Sequence, residues 1–133
     1  MRLRTPVALL TVEADLLPLL RDVVARGGHL PLIARGDSMR PSLHDGDVLV
    51  LGPLKGGKVH VGDIVLWSAK RRAVIHRVVA LRDNGLLTRG DARQRADGWV
   101  RLDAVIGRVV QVKRRRSIRK VGRLLLGLRE WWR

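Results

Sequence analysis

The residues with the strongest chemical potential are gathered around one serine, in the stretch Gly36-Asp37-Ser38-Met39-Arg40-Pro41-Ser42-Leu43-His44-Asp45-Gly46-Asp47. A glycine two positions before Ser38 and a proline three after it hold the serine on sharply shaped, non-helical backbone. Asp45-Gly46-Asp47 then supplies a turn, and the β-branched and aliphatic run 48–51 reads as the strand that leaves it. A serine on such an elbow can present its hydroxyl to a groove while its own backbone N–H points at a bound carbonyl. That is the chemistry of acyl transfer. The same residues also describe a loop joining two strands, and only the remainder of the chain separates the two readings.

The pattern G-D-S-M-x-P-x-L-x-x-G-D, followed by a hydrophobic strand, resembles the nucleophile motif of the S24–S26 serine peptidase superfamily, which unites signal peptidases with self-cleaving phage and SOS repressors. The resemblance runs from about residue 32 to residue 112 in five ordered blocks. After the serine motif come Val61-Gly62-Asp63-Ile64-Val65, Val74-Ile75-His76-Arg77-Val78-Val79, Leu87-Thr88-Arg89-Gly90-Asp91 and Val105-Ile106-Gly107-Arg108-Val109. Housekeeping bacterial signal peptidases and the repressors use a strand lysine as the base. At the matching position this chain has His76 followed by Arg77, which resembles the archaeal, endoplasmic-reticulum and sporulation-type signal peptidases. The chemistry agrees with that exchange: histidine starts near a pKa of ~6.5, whereas a lysine must be strongly desolvated before it acts as a base near neutrality. Lys58 and Lys70 are the nearby lysines, and neither lies in the strand block.

The resemblance further implies a carboxylate that orients the histidine. Two aspartates follow the Arg89-Gly90 pair six positions apart, and the later one usually fills that role, so Asp97 is the first choice. Asp91 would order the loop or serve as the orienter itself. The oxyanion hole should include the Ser38 backbone N–H. Many signal peptidases add a hydroxyl from the residue two before the nucleophile; here that residue is Gly36, as in the repressor branch. Met39 is expected to pack beside the nucleophile. The implied substrate is an extended peptide or precursor paired to a sheet edge, with small residues on the acyl side of the scissile bond. No cofactor is implied.

Composition bounds these readings. A chain of 133 residues is long enough for one domain with a modest core. There is no cysteine, which removes disulfides, thiolate metal sites and a cysteine nucleophile, and four scattered histidines give no metal signature. The formal net charge of +15 favours a polyanionic neighbour, either anionic lipid or nucleic acid. A repressor role is disfavoured because no helix-turn-helix pattern precedes the serine block, and nucleic acid is the less expected partner. No apolar run approaches the ~20 residues needed to span a bilayer. Val7-Ala8-Leu9-Leu10 is interrupted by Glu13, Asp15 and Pro18. A cytoplasmic chain, peripheral at most on the inner membrane face, is the expectation.

The elements that must position these residues are mostly short strands. Thr5-Pro6 can open a helix whose apolar spacing continues to Ala25, with Pro18 kinking or dividing it and Gly27-Gly28 ending it. Strands are expected at 29–34, 48–51, 64–67, 72–81, 86–88 and 104–112, with a hairpin-like connection over 52–58 and a polar loop over 89–98. Asp83-Asn84-Gly85 is the clearest hairpin turn. Such strands separated by Gly/Asp turns predict a mainly β fold, a small antiparallel barrel- or sandwich-like domain over 29–112 after an N-terminal helical segment over 1–28. The basic run from Lys113 to Arg116 leads into a helix with Ile118, Val121, Leu125, Leu128 and Trp132 on one face and arginines opposite. Residues 113–133 thus form a candidate clamp for an anionic membrane. The sequence points to a serine endopeptidase in which Ser38 and His76 act as a dyad oriented by Asp97 or Asp91. The alternative is a catalytically silent domain of the same fold that binds anionic lipid or nucleic acid through its basic surface.

Overall fold

The computed structural model describes residues 16–70 and 72–114. One seven-stranded antiparallel sheet carries the fold, in the order β1-β2-β7-β3-β4-β5-β6, curled into a half-barrel. The strands are β1 (Leu30–Ile33), β2 (Val48–Gly52), β3 (Ile64–Ala69), β4 (Arg72–Arg82), β5 (Gly85–Arg89), β6 (Trp99–Arg101) and β7 (Val105–Lys113). Register shifts between Val50 and Leu51, Leu66 and Trp67, and Val78 and Ala80 break the ladders locally and bend the sheet.

Successive side chains of the central strands enter buried clusters on opposite faces of the sheet. Val65 and Trp67 of β3 face a cluster with Val74, Val78, Leu86 and Val105. Leu66, between them, faces the opposite side with Leu20, Val24, Leu32, Leu51 and Ile106. The run Val48-Leu49-Val50-Leu51 is buried throughout, as expected of a strand covered on both faces. Each such side chain contributes roughly 2 kcal/mol by leaving water.

A helix, α1 (Leu17–Ala25), closes one face of the sheet with Leu20 and Val24. Pro18 stands in its first turn, where no N–H is needed, so the proline starts this helix. Its end is a Schellman pair: Gly28 N–H donates to the Val23 carbonyl and Gly27 N–H to that of Val24, both at 2.9 Å. Gly27 takes φ +85°, the left-handed conformation such an end requires. Earlier turns of the expected N-terminal helix lie outside the described residues. So does the basic amphipathic helix, of whose segment only Lys113 and Arg114 are described. No helix among the described residues is long and apolar enough to cross a membrane.

The strand expectations hold with small shifts at the ends. Asp83-Asn84 makes a two-residue turn between Arg82 and Gly85, which face each other across the hairpin. The connection over 52–58 is not a hairpin. It carries a single 3-10 turn (Lys55–Gly57), and β7 lies between the strands it joins. The short β6 and the 3-10 turn after it (Leu102–Ala104) fall in a segment too polar for periodicity to reveal.

Candidate active site

The serine elbow lies between β1 and β2, over its own small core of Ala34, Met39, Leu43 and Leu49. Gly36 takes φ +87°, a backbone turn that a side chain would strain. Beneath the elbow, Asp47 is 1% exposed; its carboxylate accepts from His44 N–H at 2.8 Å and from the Arg114 guanidinium at 2.9 Å. Asp47 N–H donates to the His44 carbonyl and Ala34 N–H to that of Asp47. The loop thus returns to the sheet at a fixed point, with Met39 and Leu43 anchored below the serine.

His76 is in the middle of β4. Its Nε2 is 2.9 Å from Ser38 Oγ, and its Nδ1 is 2.6 Å from Asp97 Oδ2. The His76 and Asp97 side chains are each 12% exposed, so the contacts are shielded without being sealed. Asp97 lies in the loop between β5 and β6, and its N–H donates to the Thr88 carbonyl at 2.8 Å. The Thr88 hydroxyl donates to Asp97 Oδ2 at 2.6 Å and accepts from Trp67 Nε1 at 2.9 Å. Thr88 is fully buried. A chain of hydrogen bonds therefore runs from Trp67 on β3, through Thr88 on β5, to Asp97, His76 on β4 and Ser38.

Asp91 takes a different part. Its carboxylate receives Nε and one terminal nitrogen of Arg77, both at 2.8 Å, and the Ser42 hydroxyl at 2.6 Å. The other terminal nitrogen of Arg77 reaches the Gly62 carbonyl at 2.9 Å. Asp91 N–H approaches Met39 Sδ at 3.4 Å, and Ala92 N–H donates to the Ser38 carbonyl at 2.9 Å. This network ties the loop after β5 to the serine elbow. Between them, Gly90 has no room for a side chain: a Cβ there would stand 2.6 Å from the Ser38 carbonyl and 3.0 Å from His76 Nε2.

The Arg77 hydrogen bonds, helped by the Ser42 hydroxyl and the charges of Arg77 and Arg89, outweigh burial and hold the Asp91 carboxyl below the usual carboxylate range. The same pairing raises Arg77. A depressed folded-state value stabilises the fold above the unfolded carboxylate's ~3.9 and loses that contribution as pH falls through the lower folded value. Asp91→Asn is therefore expected to cost roughly 2 kcal/mol near neutrality. In thermal melts across pH, the gap to the parent chain should close progressively below about pH 4. A gap of constant size into strong acid would show that the charge of Asp91 contributes nothing to the fold.

Ser38, His76 and Asp97 are thus brought into one line, and Asp91 is drawn aside into the pair with Arg77. Among the described residues, no group accepts a hydrogen bond from Ser38 N–H, which leaves that donor for a bound oxygen. Gly36 contributes no hydroxyl, and the Ser42 hydroxyl is turned to Asp91. Thr88, Trp67 and Ser42 were not singled out by sequence, and Arg77 was noted only as the residue after His76, without a partner. The available signal for Thr88 was its position: a hydroxyl on a strand led by two leucines, immediately before Arg89-Gly90-Asp91.

A groove of about 370 Å³ opens beside Ser38 and His76. Residues 33–36 form one wall and residues 72–76 of β4 the other, over a floor that includes Met39, Leu43, Leu49 and Leu66. β5 pairs with β4 only from Arg77 onward, and β1 pairs only with β2. Two strand edges therefore flank the groove without a strand partner among the described residues.

The signal peptidase complex catalytic subunit SEC11C of Homo sapiens is 29% identical over 102 residues, covering 65% of this chain and 53% of that protein. The subunits of Mus musculus and Canis lupus familiaris give the same figures. The chain spans about half the length of these curated relatives. Residues 6–88 match the family described as peptidase S24-like, a span that holds Ser38 and His76 and stops short of Asp91 and Asp97. With well over half of its length matched, and a serine elbow on a curled β sheet, the chain belongs to the peptidase S24-like family.

Proposed function

We propose that the protein is a serine endopeptidase that cleaves an extended peptide, such as a precursor or leader segment. Ser38 is the nucleophile, His76 the general base and Asp97 the carboxylate that orients it. The observation that carries this reading is the unbroken line from Ser38 Oγ to His76 Nε2 at 2.9 Å and from His76 Nδ1 to Asp97 at 2.6 Å. With Nδ1–H donated to Asp97, the lone pair of Nε2 faces the hydroxyl and can take its proton as Oγ attacks a carbonyl carbon. The tetrahedral oxyanion then meets Ser38 N–H. The imidazolium, stabilised by Asp97, returns the proton to the leaving amine, and an acyl-enzyme remains on Ser38. Water enters by the same base and releases the acid, restoring the hydroxyl.

The unpaired edges along the groove suit a peptide added as a strand, which would hold the scissile carbonyl against the nucleophile. Likeness to the catalytic subunit of a signal peptidase complex supports a processing role for the cut. The test is digestion of a diverse peptide library, with new termini read by mass spectrometry. Internal cleavage by the parent chain and none by Ser38→Ala is expected. Identical patterns from both proteins would overturn the reading and leave a silent domain of the same fold.

A further inference from the structure

The groove beside the serine has an uneven charge. Its lining includes two arginines, Arg35 and Arg72, and two histidines, His44 and His76, but no aspartate or glutamate. The carboxylates closest along the elbow are engaged elsewhere: Asp37 pairs with Arg93 at 2.9 Å, and Asp45 accepts from Gly36 N–H at 2.9 Å. Arg35 and Arg72 are both exposed, and no carboxylate among the described residues pairs with either. Arg72 is steadied from one side by the Trp67 ring, its guanidinium carbon 5.8 Å from the ring centre. That contact limits the freedom of the side chain and leaves its hydrogen-bond donors open.

Strand geometry places this charge relative to the scissile bond. Arg72, Val74 and His76 share one face of β4, and Arg72 stands four residues from the base, about 13 Å along the strand. A peptide paired to the open edge over 72–76, with its carbonyl at Ser38, therefore sets a residue about four positions from the cut beside Arg72. Cross-strand neighbours lie within reach of a salt bridge. Arg35, on the opposite wall, adds to the same field.

We infer that the substrate is an acidic peptide, with an aspartate or glutamate about four residues from the scissile bond read by Arg72 and supported by Arg35. This rests on the reading of the groove as the peptide site, and it adds a charge requirement to that reading. The apolar floor takes the residues nearer the cut, and the arginine rim discriminates at a distance from the chemistry. A glutamate there gains a charge-assisted contact, and a lysine meets only like charge.

The test uses peptide sets in which Glu, Gln or Lys is placed at one position at a time. They are read in two ways: kcat/KM with the parent chain, and binding by fluorescence anisotropy to Ser38→Ala. At low salt, glutamate about four residues from the cut is expected to exceed glutamine about fivefold in both readouts, the range of a partly exposed ion pair. The gain should fall at high salt. Arg72→Gln should abolish it, Arg72→Glu should turn it into a preference for lysine, and Arg35→Gln should reduce it. Lys55→Gln, an exposed cation away from the groove, should leave it unchanged. Equal binding of the Glu, Gln and Lys peptides at every position overturns the inference, even where cleavage at Ser38 is intact. So does a gain that is independent of position and survives Arg72→Glu, which would be general attraction to a basic protein. A position-specific preference for glutamate in Ser38→Ala binding that Arg72→Glu reverses, without any cleavage by the parent chain, would uphold Arg72 as the reader of an acidic peptide in this groove and sink the peptidase reading alone.

Discussion

Replacing either Ser38 or His76 by alanine is expected to lower peptide cleavage by on the order of 10⁴-fold or more, with little change in the fold. The two side chains form one proton-transfer unit, since Oγ and Nε2 are 2.9 Å apart and each depends on the other. Loss of the hydroxyl removes the atom that forms the covalent bond. Loss of the imidazole leaves the hydroxyl without a base, at a concentration of alkoxide too small to matter near neutrality. The double variant should therefore be no slower than the slower single one. Stability should move only modestly, because the serine is half-buried and gives up a single hydrogen bond, and Asp97 keeps its bond from Thr88. Rates from fluorogenic peptides, with thermal melts on the same samples, decide the matter. A double variant markedly slower than both singles would mean that the two act separately. Full activity in His76→Ala would assign the base elsewhere. His76→Lys should not recover the rate, because a lysine needs a desolvating pocket of its own and this position is shaped around an imidazole.

How much of this was legible from the sequence depends on the range of the interaction. The elbow could be read because its determinants are local: Gly36 for a left-handed turn, Pro41 for a non-helical exit, and an apolar strand after Gly46-Asp47. The hairpin at Asp83-Asn84 was legible for the same reason. The topology was not. β7 pairs with both β2 and β3, which are separated from it by many residues, so the segment over 52–58 looked like a hairpin turn and is a crossing. Periodicity sees which face of a strand is buried and is blind to which strand lies beside it.

The roles of the two aspartates show the same limit. Their spacing after Arg89-Gly90 left both in contention, because a side chain's partner across a sheet leaves no trace in local sequence. Successive side chains of β4 point to opposite faces, so Arg77 turns away from the side His76 takes, and from its place opposite Arg89 it reaches Asp91 two residues further on. Thr88 holds Asp97 by its backbone and its hydroxyl together. The buried Trp67 Nε1 is the sort of group that must find an acceptor, and sequence could say that it needed one without saying which.

That buried chain carries the second large effect. Asp97→Asn is expected to lower turnover by about 10³- to 10⁴-fold, since an amide cannot stabilise the imidazolium and permits the wrong tautomer. Asp91→Asn, which breaks a pair with Arg77 away from the base, should instead cost stability first. Thr88→Val keeps nearly the same shape but removes the hydroxyl that donates to Asp97 and accepts from Trp67. Asp97 then has fewer restraints, and the Trp67 N–H is left buried without an acceptor, at a cost of about 1–3 kcal/mol. Thr88→Val should lower kcat about tenfold with KM little changed, because the loss is in orienting the base and not in holding the peptide. Thr88→Ser restores the hydroxyl and should recover most of the rate. Measuring kcat, KM and the melting midpoint for all four variants separates positioning from packing. If Thr88→Val melts earlier but keeps the parent kcat well below its melting range, Thr88 only fills the core. If Asp91→Asn costs more turnover than Asp97→Asn at equal stability, the carboxylate that serves His76 is Asp91.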